Sequence, residues 1–315
     1  MIFTDNNSVS GCLFGLRLLL QQKNYRFNVY FLAFMVGFVL KYKYIIGESK
    51  MKKYGVDIKW LAVSCFEMKF GDITVVTDPY ITECRGTDLD YTAVEKCDII
   101  CLSHAHFDHI TDIPRLVEKF KGVKLLCGEN TMFPISKWLN FNPSLIYPMY
   151  PDTELDFGAV KIRAIYGRHA NQAHATDKPG INDQTQNVNS EYPELANTQI
   201  AKMHRLGSLE YRNYLFTKPN GTKILFFGND ALPELTEICK KFKPDIALIQ
   251  RAGAQFAKTK AMFANKIGCK VYIPHHHDFL GVDSPEICEN LKKAYLEIVP
   301  DGVFITPKHG EWINL

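Results

Sequence analysis

Residues 103–109 read Ser-His-Ala-His-Phe-Asp-His, so three imidazoles (His104, His106, His109) and one carboxylate (Asp108) fall within six positions. Histidine and aspartate are scarce enough here that an HxHxDH string arises by chance about once in two thousand such chains. Scattered surface histidines therefore do not account for it. Imidazole and carboxylate suit a borderline divalent metal such as zinc, and no thiol belongs to the cluster. One ion needs three or four protein ligands. The string offers two pairs, His104 with His106 and Asp108 with His109, which implies two metals, each still short of ligands. Further His or Asp is then expected at the ends of later strands, and the chain supplies His169, Asp230 and the run His275-His276-His277.

Strands and helices must bring these residues together. The string follows DIICLS (98–103), which reads as a buried strand, and precedes TDIPRLVEKF, which reads as a helix capped by Thr111 with Pro114 in its first turn. Upstream, IKWLAV, CFEMKF and ITVVT read as strands, with a turn at Gly71-Asp72 and a stop at Asp78-Pro79. Downstream, GVKLLC, VKIRAIYG, SLEYRNYLF, TKILFFG, DIALIQ and CKVYIP alternate with helical stretches at 231–242 and 254–267, and Pro219-Asn220-Gly221 marks a hairpin. This alternation predicts a layered α/β fold within one domain. A polar tract at about 170–205 has no clear periodicity and reads as a surface insertion or lid over the cleft. His174 and His204, in or beside that tract, are expected to be solvated, and His309 is expected not to ligate.

The set of marks resembles the metallo-β-lactamase superfamily: an Asp after an early strand (Asp78), HxHxDH, a later His (His169), a later Asp (Asp230) and a final His within 275–277, in that order. The resemblance covers residues 57–280 and implies an αββα four-layer sandwich. Within the superfamily, VVTDPY, FFGND and IPHHHD look most like the ascorbate-phosphate-lactonase-like branch of metal-dependent hydrolases, whose Pro-x-His pattern maps onto Pro274-His275-His276. By that resemblance His104, His106 and His169 hold one metal, Asp108, His109 and His276 hold the other, and Asp230 bridges them. Asp78 would orient a ligand histidine from behind. His276 is preferred over its neighbours because alternate residues of an extended segment face opposite sides, which sends His275 and His277 away together. The chain departs from the branch at Ala62-Val63-Ser64-Cys65, where Gly-His is usual, and at Ala231, where Thr or Ser is usual. Both departures bear on substrate contacts and not on ligands.

The activity implied is hydrolysis of an ester, lactone or phosphoester of a small molecule by a metal-bridging hydroxide, with Asp108 and Asp230 as the carboxylates at the reacting centre. The cofactors implied are two divalent ions, Zn2+ first and Mn2+ or Fe2+ as alternatives. Arg168 and Arg251 are candidates to contact an anionic group of the substrate, with surface ion pairing the plainer expectation. One alternative is an iron-dependent oxidoreductase of the same fold, disfavoured because the flavodiiron-like branch has Glu where this chain has His106. A non-catalytic metal-binding protein is the other, and would be expected to lack ligands.

Composition limits the remaining classes. The chain has 315 residues, 46% hydrophobic and 23% charged, which excludes disorder and coiled coil. Nine cysteines with no CxxC pair point to a reduced, cytoplasmic protein without a disulfide framework. The net charge of +3 resides in residues 1–50, which hold six Lys/Arg against Asp5 and Glu48, leaving 31 basic and 32 acidic residues in the rest. A nucleic-acid partner is therefore not expected. Residues 1–50 form a hydrophobic, basic extension ahead of a hydrolase domain at 51–315. Its apolar run 27–40 is shorter than the roughly 20 residues of a membrane span. The extension reads as a membrane anchor through segment 27–47, as an upstream start with Met51 the true one, or as a folded addition to the domain; the anchor reading and the upstream-start reading both place the main domain in the cytoplasm. Homo-oligomer formation stays open.

Overall fold

Short runs of β-branched and aromatic residues between turn signals form two seven-stranded sheets in the computed structural model, which describes residues 53–168, 198–207, 210–251, 257–278 and 285–315. The first sheet is built from β1 (Asp57–Ala62), β2 (Cys65–Phe70), β3 (Ile73–Thr77), β4 (Ile99–Cys101), β5 (Lys124–Cys127) and β6 (Ile146–Pro148), closed at one edge by β14 (Trp312–Asn314). Its order is β14-β1-β2-β3-β4-β5-β6, antiparallel up to β3 and parallel from β3 onward. The second sheet comprises β7 (Glu154–Asp156), β8 (Lys161–Gly167), β9 (Tyr211–Thr217), β10 (Lys223–Phe227), β11 (Ile246–Gln250), β12 (Val271–His275) and β13 (Val303–Phe304). It repeats the plan in the order β13-β12-β11-β10-β9-β8-β7, parallel from β10 to β13.

The parallel strands are continuous apolar runs because both faces are covered. On one face the sheets meet each other through Phe66 edge-on to Phe226 at 6.4 Å and Phe70 stacked on Phe216 at 5.7 Å. On its outer face the first sheet packs Val76, Ile100 and Leu125 against α1 (Phe107–Ile110), α2 (Ile113–Lys119) and α3 (Glu129–Leu139) through Ile110, Leu116 and Ile135. The second sheet packs Leu225, Phe227 and Ile249 against α5 (Pro233–Lys240), α6 (Ala257–Lys266) and α7 (Pro285–Ile298). The remaining helix, α4 (Gln199–Gly207), lies on the first core through Ile200 and Met203. Helix, sheet, sheet, helix is the four-layer sandwich expected.

Parallel strands carry their C-terminal ends to a common edge, where open α/β sheets place their sites. Here those ends lead to Asp78 after β3, to residues 102–109 after β4, to 228–230 after β10 and to 276–278 after β12. The two sheets are tied at this edge: Arg212 N–H of β9 donates to Ser103 O at 2.9 Å, and Tyr214 OH donates to Leu102 O at 2.8 Å.

Two expectations are corrected. Asp112, not Thr111, sits at the cap position of α2. Its carboxylate makes no cap bond, accepting instead from Ile81 N, Thr82 N, Thr82 Oγ1 and Arg115. The end of the polar tract is not all surface loop, because Ile200 and Met203, three apart, give α4 an apolar face that docks on the core. The eight described cysteines are buried, and Cys12 lies outside the described residues. Tyr54–Leu315 makes one compact unit. No described helix is long and apolar enough to cross a membrane, and segment 27–47 lies outside the described residues.

Candidate metal centre

The site is built from Asp78 outward. Its backbone is left-handed at φ 37°, and its fully buried carboxylate makes three bonds. Oδ1 accepts from Ser103 N at 2.7 Å, and Oδ2 accepts from Ser103 Oγ at 2.6 Å and His109 Nδ1 at 2.8 Å. Ser103 Oγ also lies 2.8 Å from His104 Nδ1. A hydroxyl has one hydrogen, and a carboxylate only accepts. With that hydrogen committed to Asp78, the serine oxygen accepts from His104 Nδ1–H. One carboxylate thus places a proton on the Nδ1 of both His104 and His109 and leaves Nε2 as the nitrogen each would offer to a metal.

The short helix α1 then sets Asp108 and His109 beside the end of β12. Asp108 Oδ2 is 3.4 Å from His109 Nε2 and 3.3 Å from His276 Nε2. Among the described residues, Asp108, His109 and His276 are the group of three whose ligand atoms all lie within 4.8 Å of one another. Burial pulls the His109 imidazole down, but the carboxylates of Asp108 and Asp78 outweigh it and hold the ring at about 10. Burial likewise raises Asp108, and the facing His109 and His276 overcome it and keep the carboxyl well below its usual range. The His104 ring continues the cluster, 4.4 Å from that of His106 and 4.1 Å from that of His109.

His276 reaches this place by a route that simple alternation does not describe. Its backbone is left-handed at φ 59°, with its N–H donating to Val63 O at 2.8 Å, so the segment is not extended at that residue. His275 turns into the space between the sheets, stacked on Phe226 at 5.2 Å with Nδ1 3.1 Å from Ser64 Oγ. His277 packs against Trp60 at 4.6 Å. Asp278 accepts from Val63 N through both oxygens, at 3.1 and 3.0 Å, and its Oδ2 lies 2.9 Å from His309 Nε2. His309, stacked on Trp60 at 4.0 Å, braces this loop away from the His/Asp cluster.

Asp230 follows β10 and is buried beside Lys260 of α6, with Oδ1 3.7 Å from Nζ, an ion pair longer than a hydrogen bond. That oxygen is buried and takes no hydrogen bond. Burial pulls the Lys260 ammonium down to about 8, with Asp230 opposing it. His169 and His174 lie outside the described residues, so the third ligand expected beside His104 and His106 does too. Arg168 and Arg251 are half-buried; the Arg168 backbone bonds Asn229, and Arg251 N–H donates to His275 O at 2.8 Å.

His204 corrects the sequence reading. It is buried, not solvated, stacked on His106 at 4.0 Å with an interplanar angle of 20°, and its Nδ1 accepts from Phe107 N–H at 3.2 Å. Burial holds it at about 4. Accepting at Nδ1 makes it a neutral ring with its proton on Nε2. Ser103, Asn229 and Lys260 were also missed: Ser103 was visible as the residue before the string, whereas a lysine gives no sign in sequence that it is buried.

The donors fit a divalent ion. Two imidazoles and a carboxylate converge within 4.8 Å of one another, the His109 tautomer set by Asp78, and a buried carboxylate oxygen of Asp230 without a hydrogen bond stands at a neighbouring strand end.

Two face-to-face sheets between helical layers, with a His/Asp cluster at the strand ends, define a metallo-β-lactamase-fold protein. The family model described as Beta-lactamase superfamily domain matches residues 57–264, and the chain belongs to that family. A UPF0173 metal-dependent hydrolase of Geobacillus sp. (strain WCH70) is 25% identical over 248 residues, 77% of this chain and 92% of that protein. Against several other curated relatives the chain spans about half of their length. Among solved structures, the metallo hydrolase Igni18 of Ignicoccus hospitalis is similar at a TM-score of 0.58 and 14% identity, covering 82% of this chain and 97% of that one. CmlA, a diiron β-hydroxylase of Streptomyces venezuelae, is similar at 0.54 and 10% identity, covering 82% of this chain and 54% of that one. At such identities both show the fold alone.

Proposed function

We propose that this chain is a metal-dependent hydrolase that uses two divalent ions, Zn2+ first, to open an ester, lactone or phosphoester of a small molecule. The observation that carries the reading is the convergence of Asp108, His109 and His276 within 4.8 Å of one another, with the Asp78 carboxylate holding a hydrogen at Nδ1 of His109 directly and of His104 through Ser103. His104 and His106 with His169 would hold one ion, Asp108, His109 and His276 the other, and Asp230 both. Bound ions of this kind lower the pKa of water to near 7 and polarise the scissile bond.

The chain's own part is to orient and to exclude. Asp78 and Ser103 hold a ring hydrogen of His104 and His109 at Nδ1, so that Nε2 is the nitrogen each would turn to a metal, and Asp108, held ionised by two imidazoles, would serve as an anionic donor. His204 covers His106 from the side of α4 as a neutral ring whose hydrogen is on Nε2. An iron-dependent oxidoreductase is the second reading, favoured only by the diiron centre named for a fold neighbour; a donor set of imidazoles and two aspartates favours hydrolysis.

Elemental mass spectrometry on the protein from residue 51 onward, with assays on a lactone and a phosphodiester, tests this. About two equivalents of zinc or manganese with turnover support the reading. Iron without hydrolytic turnover, or no metal after reconstitution, overturns it. The same protein tests whether residues 51–315 suffice as the hydrolase domain.

A further inference from the structure

Lys260 is a buried charge that the proposed chemistry leaves unused. It lies on α6, a helix of the outer layer, yet its side chain is only 1% exposed and runs inward to the end of β10. Nζ donates to Asn229 O at 2.8 Å and lies 3.7 Å from Asp230 Oδ1. Burying an ammonium is unfavourable unless it meets strong acceptors. A methionine or leucine would fill the same space without that cost, so a role for the charge is to be sought in what it touches.

What it touches is one peptide and one carboxylate. The Asn229 carbonyl belongs to the peptide bond that begins Asp230, so gripping that oxygen fixes the plane from which the Asp230 side chain springs. The Asn229 side chain holds the same peptide from the other end. Its Oδ1 accepts from Asn213 Nδ2 at 2.6 Å and from Arg168 N at 3.3 Å, and its Nδ2 donates to Arg168 O at 2.7 Å. The clamp needs a glycine at its back: a Cβ on Gly167 would stand 2.7 Å from Asn229 Oδ1 and 3.0 Å from Asn213 Nδ2. The end of β8, the end of β10 and helix α6 are therefore locked together around Asn229, and Lys260 is the part of the lock that reaches the carboxylate.

We infer that Lys260 is a positioning residue of the metal centre: anchored on the Asn229 carbonyl, its ammonium holds the Asp230 carboxylate where it can ligate. The inference rests on the proposed ligand role of Asp230. In the absence of metal the ammonium is the carboxylate's partner, which prevents Asp230 from turning toward another donor. When metal arrives, Oδ1 has no hydrogen bond to give up. Partners of this kind behind a ligand are worth roughly 10- to 100-fold in metal affinity.

The test measures zinc affinity by competition with a chromophoric chelator, on the full chain, for the parent, Lys260→Met, Lys260→Gln, Asp230→Asn and the Lys260→Met/Asp230→Asn double variant. Lys260→Met is expected to weaken zinc binding by about 10-fold or more. Lys260→Gln, which keeps a donor for Asn229 O, is expected to recover part of that loss and guards against a misfolded Met variant. In the Asp230→Asn background Lys260→Met is expected to change affinity by less than about twofold, since a residue that acts through Asp230 has nothing left to act on. Equal losses in both backgrounds, or parent affinity in Lys260→Met, overturn the positioning role while leaving Asp230 a ligand. Parent affinity in Asp230→Asn overturns the ligand role itself, and the positioning role with it.

Discussion

Replacing Asp78 by asparagine changes one atom and is expected to turn two histidines the wrong way round. With the amide oxygen kept on Ser103 N–H, the amide nitrogen takes the place of Oδ2, the atom that accepts from Ser103 Oγ at 2.6 Å and from His109 Nδ1 at 2.8 Å. An amide nitrogen only donates, and its two hydrogens match these two positions. The network can then close only if Ser103 turns its hydrogen to His104 Nδ1 and His109 accepts at Nδ1. Every hydrogen bond survives in number, but as neutral rings both imidazoles now carry their proton on Nε2, where the proposed metals would bind. Restoring the ligating tautomer sets donor against donor at each ring, at about 1–3 kcal/mol apiece. For two rings that is about 2–6 kcal/mol, or roughly 30-fold to 10⁴-fold in zinc affinity. Ser103→Ala breaks only the His104 arm and should fall between variant and parent. The assay is zinc affinity by chelator competition, with circular dichroism to confirm the fold. Asp78→Asn binding zinc within about threefold of the parent would refute the tautomer argument.

Other outcomes follow from the same geometry. His276→Ala should lower bound metal at little cost in melting temperature, whereas His275→Ala, which empties a fully buried site between the sheets, should cost about 2–4 kcal/mol of stability and leave metal content unchanged; the reverse pattern in elemental analysis and denaturant titration would reassign the ligand. In chelator-treated protein, His109 is raised from 6.5 to about 10, so the stability it contributes is complete below pH 6.5 and is lost as the pH climbs toward 10. Thermal melts of that form should therefore decline across this window, and a His109→Gln variant should decline less. His204→Ala strips the acceptor from the buried Phe107 N–H and the ring from His106, costing about 1–3 kcal/mol in a denaturant titration. An unchanged midpoint would return His204 to the solvated role that the sequence suggested.

The parts of the site that could be read from sequence are those in which residue type and strand end coincide. Asp78, the 104–109 string, Asp230 and the 275–277 run each follow an apolar strand, and parallel strands bring their ends to one edge. Short apolar runs between turn signals showed the strands, continuous where both faces are covered, and located β1 to β5 within a residue or two. The misses have one physical cause. Choosing among His275, His276 and His277 depends on the left-handed φ at His276, which is set by the distant Val63 and Asp278 loop contacts. The burial of His204 depends on where α4 docks, and that of Lys260 on the reach of a long side chain from an outer helix to an inner strand end. Contacts across the sandwich decide all three, and local pattern carries no record of them.

The central claim is a two-metal centre held by the HxHxDH string, Asp230 and His276. Anomalous diffraction at the zinc edge from zinc-loaded crystals tests it most directly. The account predicts two peaks about 3.5–4 Å apart, one of them within ligand distance of Asp108, His109 and His276 and the other beside His104 and His106, with Asp230 in contact with both. A single peak, or two peaks with Asp230 bound to neither, would contradict it.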